Sequence, residues 1–199
     1  MRTLSPAIAL PIMMVLAMPA SADPLSDLLA KGKGGACYER VYDKAHLAQH
    51  SKQATQAVLL SLREFSDGNG AIIRIRIRIS SKSGTHYMVG GCDWQERANL
   101  DIQDKPLIEA FKGPSGLDCH AMTSADGSSA EEGGDFPVDL RDGKAIMLYF
   151  PDSLAGWRSY DRSQPAEFRD FSSEDRVFRL DKVKAGLCSE MDARLPGWN

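Results

Sequence analysis

The residues able to do chemistry are few and scattered. His46 and His50 stand four apart in HLAQH, so on a helix both imidazoles face one side, the arrangement from which zinc sites are built. A metalloprotease helix would need a glutamate directly after the first histidine, where Leu47 stands. His86 and His120 are the remaining candidates for a third ligand, and their spacing does not require that role. Asp93 lies beside Cys92 and Asp118 beside Cys119, so a Cys92–Cys119 bridge would bring two carboxylates together, as acid–base hydrolysis of a glycoside requires. Ser115 in GPSGL resembles a nucleophile elbow only loosely, because the G-x-S-x-G pattern is missing, and it is read as a loop residue. Cys119 next to His120 offers a thiol and a base, a pairing that a disulfide would remove.

Binding chemistry has two further sources. In AIIRIRIRIS, Arg74, Arg76 and Arg78 alternate with Ile73, Ile75, Ile77 and Ile79. In a strand the isoleucines form an apolar face and the arginines a cationic row on the other side. Such a row either holds an anion or lipid headgroup, or is neutralised by carboxylates across the sheet. Glu39, Asp43, Asp139 and Asp181 are the expected cross-strand acids, and neutralisation of most of the row is the expectation. Tyr38, Tyr42, Tyr87, Trp94, Tyr149, Trp157 and Tyr160 supply aromatic surface for a ligand platform, or for the core and its margin.

The compartment is set by the ends and the cysteines. Arg2 precedes an apolar run from about Ala7 to Met18, followed by Ala20-Ser21-Ala22, the small-x-small site of a signal peptidase. The run falls short of the roughly 20 residues that span a bilayer. Residues 1–22 are thus read as a signal peptide, with the mature chain beginning at Asp23 in the periplasm or outside the cell. No transmembrane anchor is expected after cleavage. The mature chain then carries 23 basic and 27 acidic residues, a balance that argues against nucleic acid as partner. A small ligand or an envelope protein remains as the partner class. Cys37, Cys92, Cys119 and Cys188 form an even set with no C-x-x-C spacing, which reads as two disulfides rather than a redox or zinc motif. Of three possible connectivities, Cys92–Cys119 and Cys37–Cys188 is favoured: one clips a long loop, the other ties the first strand to the end of the last. No cofactor motif is present, since Lys31-Gly32-Lys33-Gly34-Gly35 lacks the G-K-[ST] ending of a phosphate loop.

The elements that must position these groups are mainly β. Residues 23–36 read as a flexible lead and 37–188 as the folded domain, with 189–199 as a tail that packs through Trp198 or hangs free. Strands are expected over 37–43, 57–65, 71–80 and from Thr85 to near Cys92, with SDGNG and SKSG as turns. Asp43 caps a short helical turn over DKAHLAQH, and a second short helix is expected over 104–111. Residues 121–134 are small, polar and acidic, the pattern of a mobile loop. FPVDLRDGKAIMLYF, 136–150, reads as a hairpin turning at Asp142-Gly143, SQPAEF as a helical turn, and 175–183 as the last strand. Six or seven strands with one or two short helices imply an antiparallel barrel or sandwich, the barrel being favoured.

CYERVYDKAHLAQH, GGCDW, LDCH and DRVFRLDKV, with Cys188, resemble an uncharacterised family of exported bacterial proteins with a C-Y-x-R-x-Y-D-x-x-H-L opening, over about residues 35–188. The resemblance implies a secreted, disulfide-linked β-domain and carries over no catalytic residue. Where that pattern has a compact glycine-rich turn after the third cysteine, this chain has the looser AMTSADGSSAEEGGD. The leading expectation is an exported, non-enzymatic β-domain that binds a ligand or supports the envelope. The alternatives are an inhibitor or accessory protein of an envelope enzyme acting through 121–134, and a secreted hydrolase using Asp93 and Asp118.

Overall fold

A computed structural model describes residues 35–66, 71–100, 105–124, 132–141 and 143–195, together with Leu25 and Leu29. Eight antiparallel strands close into an up-and-down barrel: β1 (Gly35–Val41), β2 (Thr55–Ser66), β3 (Ala71–Ser81), β4 (Gly84–Glu96), β5 (Ser115–Ala121), β6 (Asp135–Asp139), β7 (Ala145–Tyr149) and β10 (Val177–Val183). Each strand pairs with its neighbour in sequence, and β10 closes the circle on β1. A separate hairpin, β8 (Ser153–Gly156) with β9 (Glu167–Asp170), is inserted before β10. Three short α-helices, α1 (Lys44–Gln49), α2 (Lys105–Ala110) and α3 (Ser189–Arg194), and two 3-10 turns, Arg97–Asn99 and Ala185–Leu187, complete the described elements.

Period-two patterning builds the wall. Ile75, Ile77 and Ile79 are almost completely buried and pair with Leu62, Leu60 and Val58 of β2. These side chains, with Tyr38, Phe136, Leu148 and Phe178, fill the interior as one apolar cluster, as expected of a small barrel. The disulfide Cys92–Cys119 belongs to this interior: the two residues are direct cross-strand partners on β4 and β5. Cys37 points to the outside of β1 and is bridged to Cys188, beyond the end of β10. Both expected pairings are present.

Several local expectations are met. Asp43 caps α1, its Oδ1 accepting from the amide of His46 at 2.8 Å. Ser81 pairs with Gly84 across a two-residue turn, and Gly84 takes φ +117°, which a residue with a Cβ rarely adopts. Others need correction. The chain builds eight barrel strands rather than six or seven, because β5 runs through SGLDCHA, a segment poor in β-formers that is held on both sides by β4 and β6. Ser115 is therefore paired in a strand, opposite Glu96, and not in a loop. The β6–β7 connection is longer than a two-residue turn: Val138 pairs with Leu148 and Asp139 with Met147. The end of SQPAEF leads into β9 instead of a helix.

The lead and the tail are partly structural. Gly35 and Ala36 already belong to β1, and Leu25 and Leu29 are buried in the main apolar cluster. Residues 189–194 form α3, which lies across the outside of the barrel. Trp198, Asp104, Asp142, residues 67–70 of SDGNG and residues 125–131 of the polar loop lie outside the described residues. One end of the barrel is clamped by backbone-accepting acids. Asp175 accepts from the amides of Ala54 and Thr55 at 2.8 and 3.0 Å, and Glu174 from those of Lys52 and Gln53 at 2.9 and 3.1 Å.

Candidate functional site

Strand β3 places its arginines on the outer surface, as its alternation requires, but two of them are not exposed. Arg74 and Arg76 are each only 6 % accessible. The register lays Arg63, Ser61 and Leu59 of β2 on one side of Arg74, Arg76 and Arg78, and Gly91, Val89 and Tyr87 of β4 on the other. Across this face runs the segment tethered by Cys188. Met191 and Leu195 are fully buried there, in a second apolar cluster with Leu59, Val89 and Trp157.

The charge on Arg76 is met by this roof. Its Nε donates to the carbonyl of Leu195 at 2.5 Å, one of the oxygens a helix end leaves without an internal donor. Its Nη1 stands 3.5 Å from Oδ1 of Asp192, while Arg63 donates to Oδ2 of the same carboxylate through Nε at 3.0 Å and Nη2 at 2.7 Å. Burial lowers the Arg76 pKa, Asp192 opposes that effect, and Arg63 and Arg162 add to it. The guanidinium nonetheless stays protonated at any ordinary pH. Arg74 packs its guanidinium carbon 3.3 Å from the centroid of the Phe65 ring.

The expected cross-strand acids do not supply this neutralisation. Asp181 pairs with Arg40 and Arg179, Asp139 with Arg141, and Asp43 is the cap of α1. The carboxylate that serves Arg76 comes from α3, packed over the sheet rather than beside it. Arg78 differs from its neighbours: it is half-buried and has no ion pair among the described residues.

Beside Arg78 the face becomes aromatic. Tyr87 and Tyr160 have ring centroids 4.2 Å apart. Arg194 of α3 lies 4.3 Å over Tyr160, and Arg162 lies 5.7 Å over Trp157, whose Nε1 donates to the carbonyl of Gln164. Burial raises the Tyr87 pKa, as does Tyr160, while Arg78 and Arg194 pull it down. Both guanidinium groups thus lie within electrostatic reach of one phenol. Planar cations beside aromatic rings suit an anionic group attached to a flat or ring-shaped body.

The other candidate groups are placed as follows. Asp93 and Asp118 are direct cross-strand partners facing outward, Asp93 exposed and Asp118 buried. Cys119 is in a disulfide, which excludes a thiol nucleophile; His120 instead pairs with Asp135 on β6 at 2.8 Å. His46 and His50 stack with centroids 4.3 Å apart, Tyr42 stacks on His46, and Nε2 of His46 contacts Oε1 of Gln53 at 3.0 Å. Neither His86 nor His120 joins them, and no group of three potential metal ligands occurs among the described residues. Of the seven aromatics, Tyr38 is in the interior, Tyr42 and Trp94 pack against that cluster, Tyr149 lies with Phe111, and Tyr87, Trp157 and Tyr160 border the arginine face.

Arg63, Asp192 and Arg194 escaped the sequence reading. Arg63 follows the alternation of β2 and was open to inference; Asp192 and Arg194 reach the face only by tertiary packing. No protein-family model matches the chain, and no curated protein or solved structure matches it.

Proposed function

We propose that this chain is exported to an oxidising compartment and acts there as a non-enzymatic binding module. Its anion site would lie on the outside of a barrel whose lumen is filled by its own side chains. Export is supported by the leader-like residues 1–22 and by the pairing of all four cysteines. No described helix is long and apolar enough to cross a membrane.

One observation carries the binding reading. Arg63 and Arg76 share the Asp192 carboxylate, whereas Arg78 stands next to Tyr87 with no ion pair among the described residues. With Arg194, which also pairs with Glu190 at 3.4 Å, lying over Tyr160, this leaves a cationic and aromatic edge beside α3. A phosphate-bearing headgroup of an envelope lipid fits that chemistry. The test is sedimentation with vesicles of phosphatidylglycerol or of phosphatidylcholine. Binding to the anionic vesicles alone, weakened by salt and by Arg78→Ala with Arg194→Ala, supports the reading. Equal binding to both vesicles, or no effect of the two substitutions, rejects it.

A second reading has its own support: Asp93 and Asp118 oppose each other on adjacent strands, at the roughly 4.5–5.5 Å Cβ separation of such pairs. A pair of carboxylates on one face is what hydrolysis of a glycoside uses. Turnover of a glycoside lost in Asp118→Asn would favour it over the binding module.

A further inference from the structure

Strand β8 crosses β4 more closely than a side chain would permit. A Cβ at Gly156 would stand 2.5 Å from the carbonyl oxygen of Tyr87 and 2.6 Å from Nε2 of His86. His86 lies beneath this crossing at 3 % exposure, on the same face of β4 as Met88 and opposite the buried Ile79. Its Nε2 is buried without a hydrogen-bond partner among the described residues.

The charged groups around the ring come from the hairpin and its flanks. They are Arg169, Arg158 and Glu167. Glu167 is already engaged by Arg158 at 3.1 Å. Arg169 donates to Oγ1 of Thr55 at 3.0 Å, lies 5.0 Å over Phe171 and is drawn by Asp175. An imidazolium in this place would find no acceptor for its Nε2 proton and two guanidinium groups nearby.

We propose that the β8–β9 hairpin is an acid-released flap, held on the barrel while His86 is neutral and driven off when the ring gains a proton. The flap is tied by paired backbone hydrogen bonds between Tyr87 and Trp157, each 2.8 Å, and by the amide of Ala155 to the carbonyl of Gly133 at 2.9 Å. Opening breaks these bonds and uncovers Leu154 and Trp157, both now buried. Burial first, then Arg169 and Arg158, push the ring's pKa down to about 4 from its ordinary 6.5, to which an open flap returns it. The open population therefore rises about 20-fold from pH 7 to pH 5.

Hydrogen exchange of the full, oxidised chain tests this, with rates corrected for the intrinsic effect of pH. Protection in 153–157 and 167–171 is expected to fall about 20-fold between pH 7 and pH 5, and to lie well below that of β2 and β3 at both pH values. His86→Gln should remove that fall, and Arg158→Gln, at an exposed position, should shrink it. The proposal is overturned by an unchanged flap at pH 5, by flap protection no lower than that of β2 and β3, or by a full response persisting in His86→Gln. A variant-free check is the NMR titration of the His86 ring: a midpoint below 5.5 agrees, and one near 6.5 contradicts.

Discussion

Replacing Asp192 by alanine is the most revealing perturbation of the arginine face. Its carboxylate is 14 % exposed, against 7 % for the Arg76 side chain and 36 % for that of Arg63. Without it, Arg63 turns to water, but Arg76 keeps a buried positive charge with only the Leu195 carbonyl as acceptor among the described residues. Breaking a buried ion pair costs roughly 3–5 kcal/mol. The retained carbonyl and the partial exposure of Asp192 place this case near the low end, about 3 kcal/mol. For a domain of this size that is a fall in Tm of roughly 6–12 °C. Urea unfolding of the oxidised protein reads it directly. Adding Arg76→Met should recover about 1–2 kcal/mol, because the uncompensated charge goes while the stem still packs. Arg63→Ala should cost only about 1 kcal/mol. A loss below about 0.5 kcal/mol in Asp192→Ala, or a double variant no better than the single, would show that the pair is not what holds α3 in place.

Three further outcomes follow from other parts of the molecule. The Cys37–Cys188 bridge spans 151 residues and Cys92–Cys119 spans 27. In the loop-entropy model, removing them costs about 5 and about 3.5 kcal/mol respectively, so denaturant midpoints should fall further for Cys37→Ser with Cys188→Ser than for Cys92→Ser with Cys119→Ser. Gly156→Ala sets a methyl against the Tyr87 carbonyl, and should cost about 1–3 kcal/mol with loss of exchange protection concentrated in β8 and β9. His86 has its pKa lowered in the folded state, so the unfolded chain binds the extra proton between pH 6.5 and about 4. Stability should fall as pH drops through that window by up to about 3 kcal/mol, and His86→Gln should flatten the profile measured by urea midpoints.

The sequence was most readable where side-chain alternation and burial agree. The run from Ile73 to Ile79 announces a strand with one apolar face, and β3 is that strand. The even cysteine set, read with the leader-like residues 1–22, pointed to the two bridges that are present. The same alternation puts His86 on the face of Met88, so its burial was open to inference from THYMV. Strand β5 was hidden because Gly116, Asp118 and Cys119 have little strand preference of their own; its neighbours impose it. Strands β8 and β9 are four residues each, too short to show a period. The burial of Arg74 and Arg76 could not be read from β3, since alternation tells which face a residue takes but not what covers that face. Over Arg76 the cover is α3, held there by Cys188 and by Met191 and Leu195, and Arg74 packs on Phe65.

The proposed binding site lies on the outer arginine face of the barrel and not in its lumen. A titration with short-chain phosphatidylglycerol, followed by NMR shifts of tyrosine rings, arginine Nε–H groups and isoleucine methyls, tests it most directly. Shifts confined to Tyr87, Tyr160, Arg78 and Arg194 are predicted. Shifts centred on the inward methyls of Ile75 and Ile77, or none at the arginine face, would contradict it.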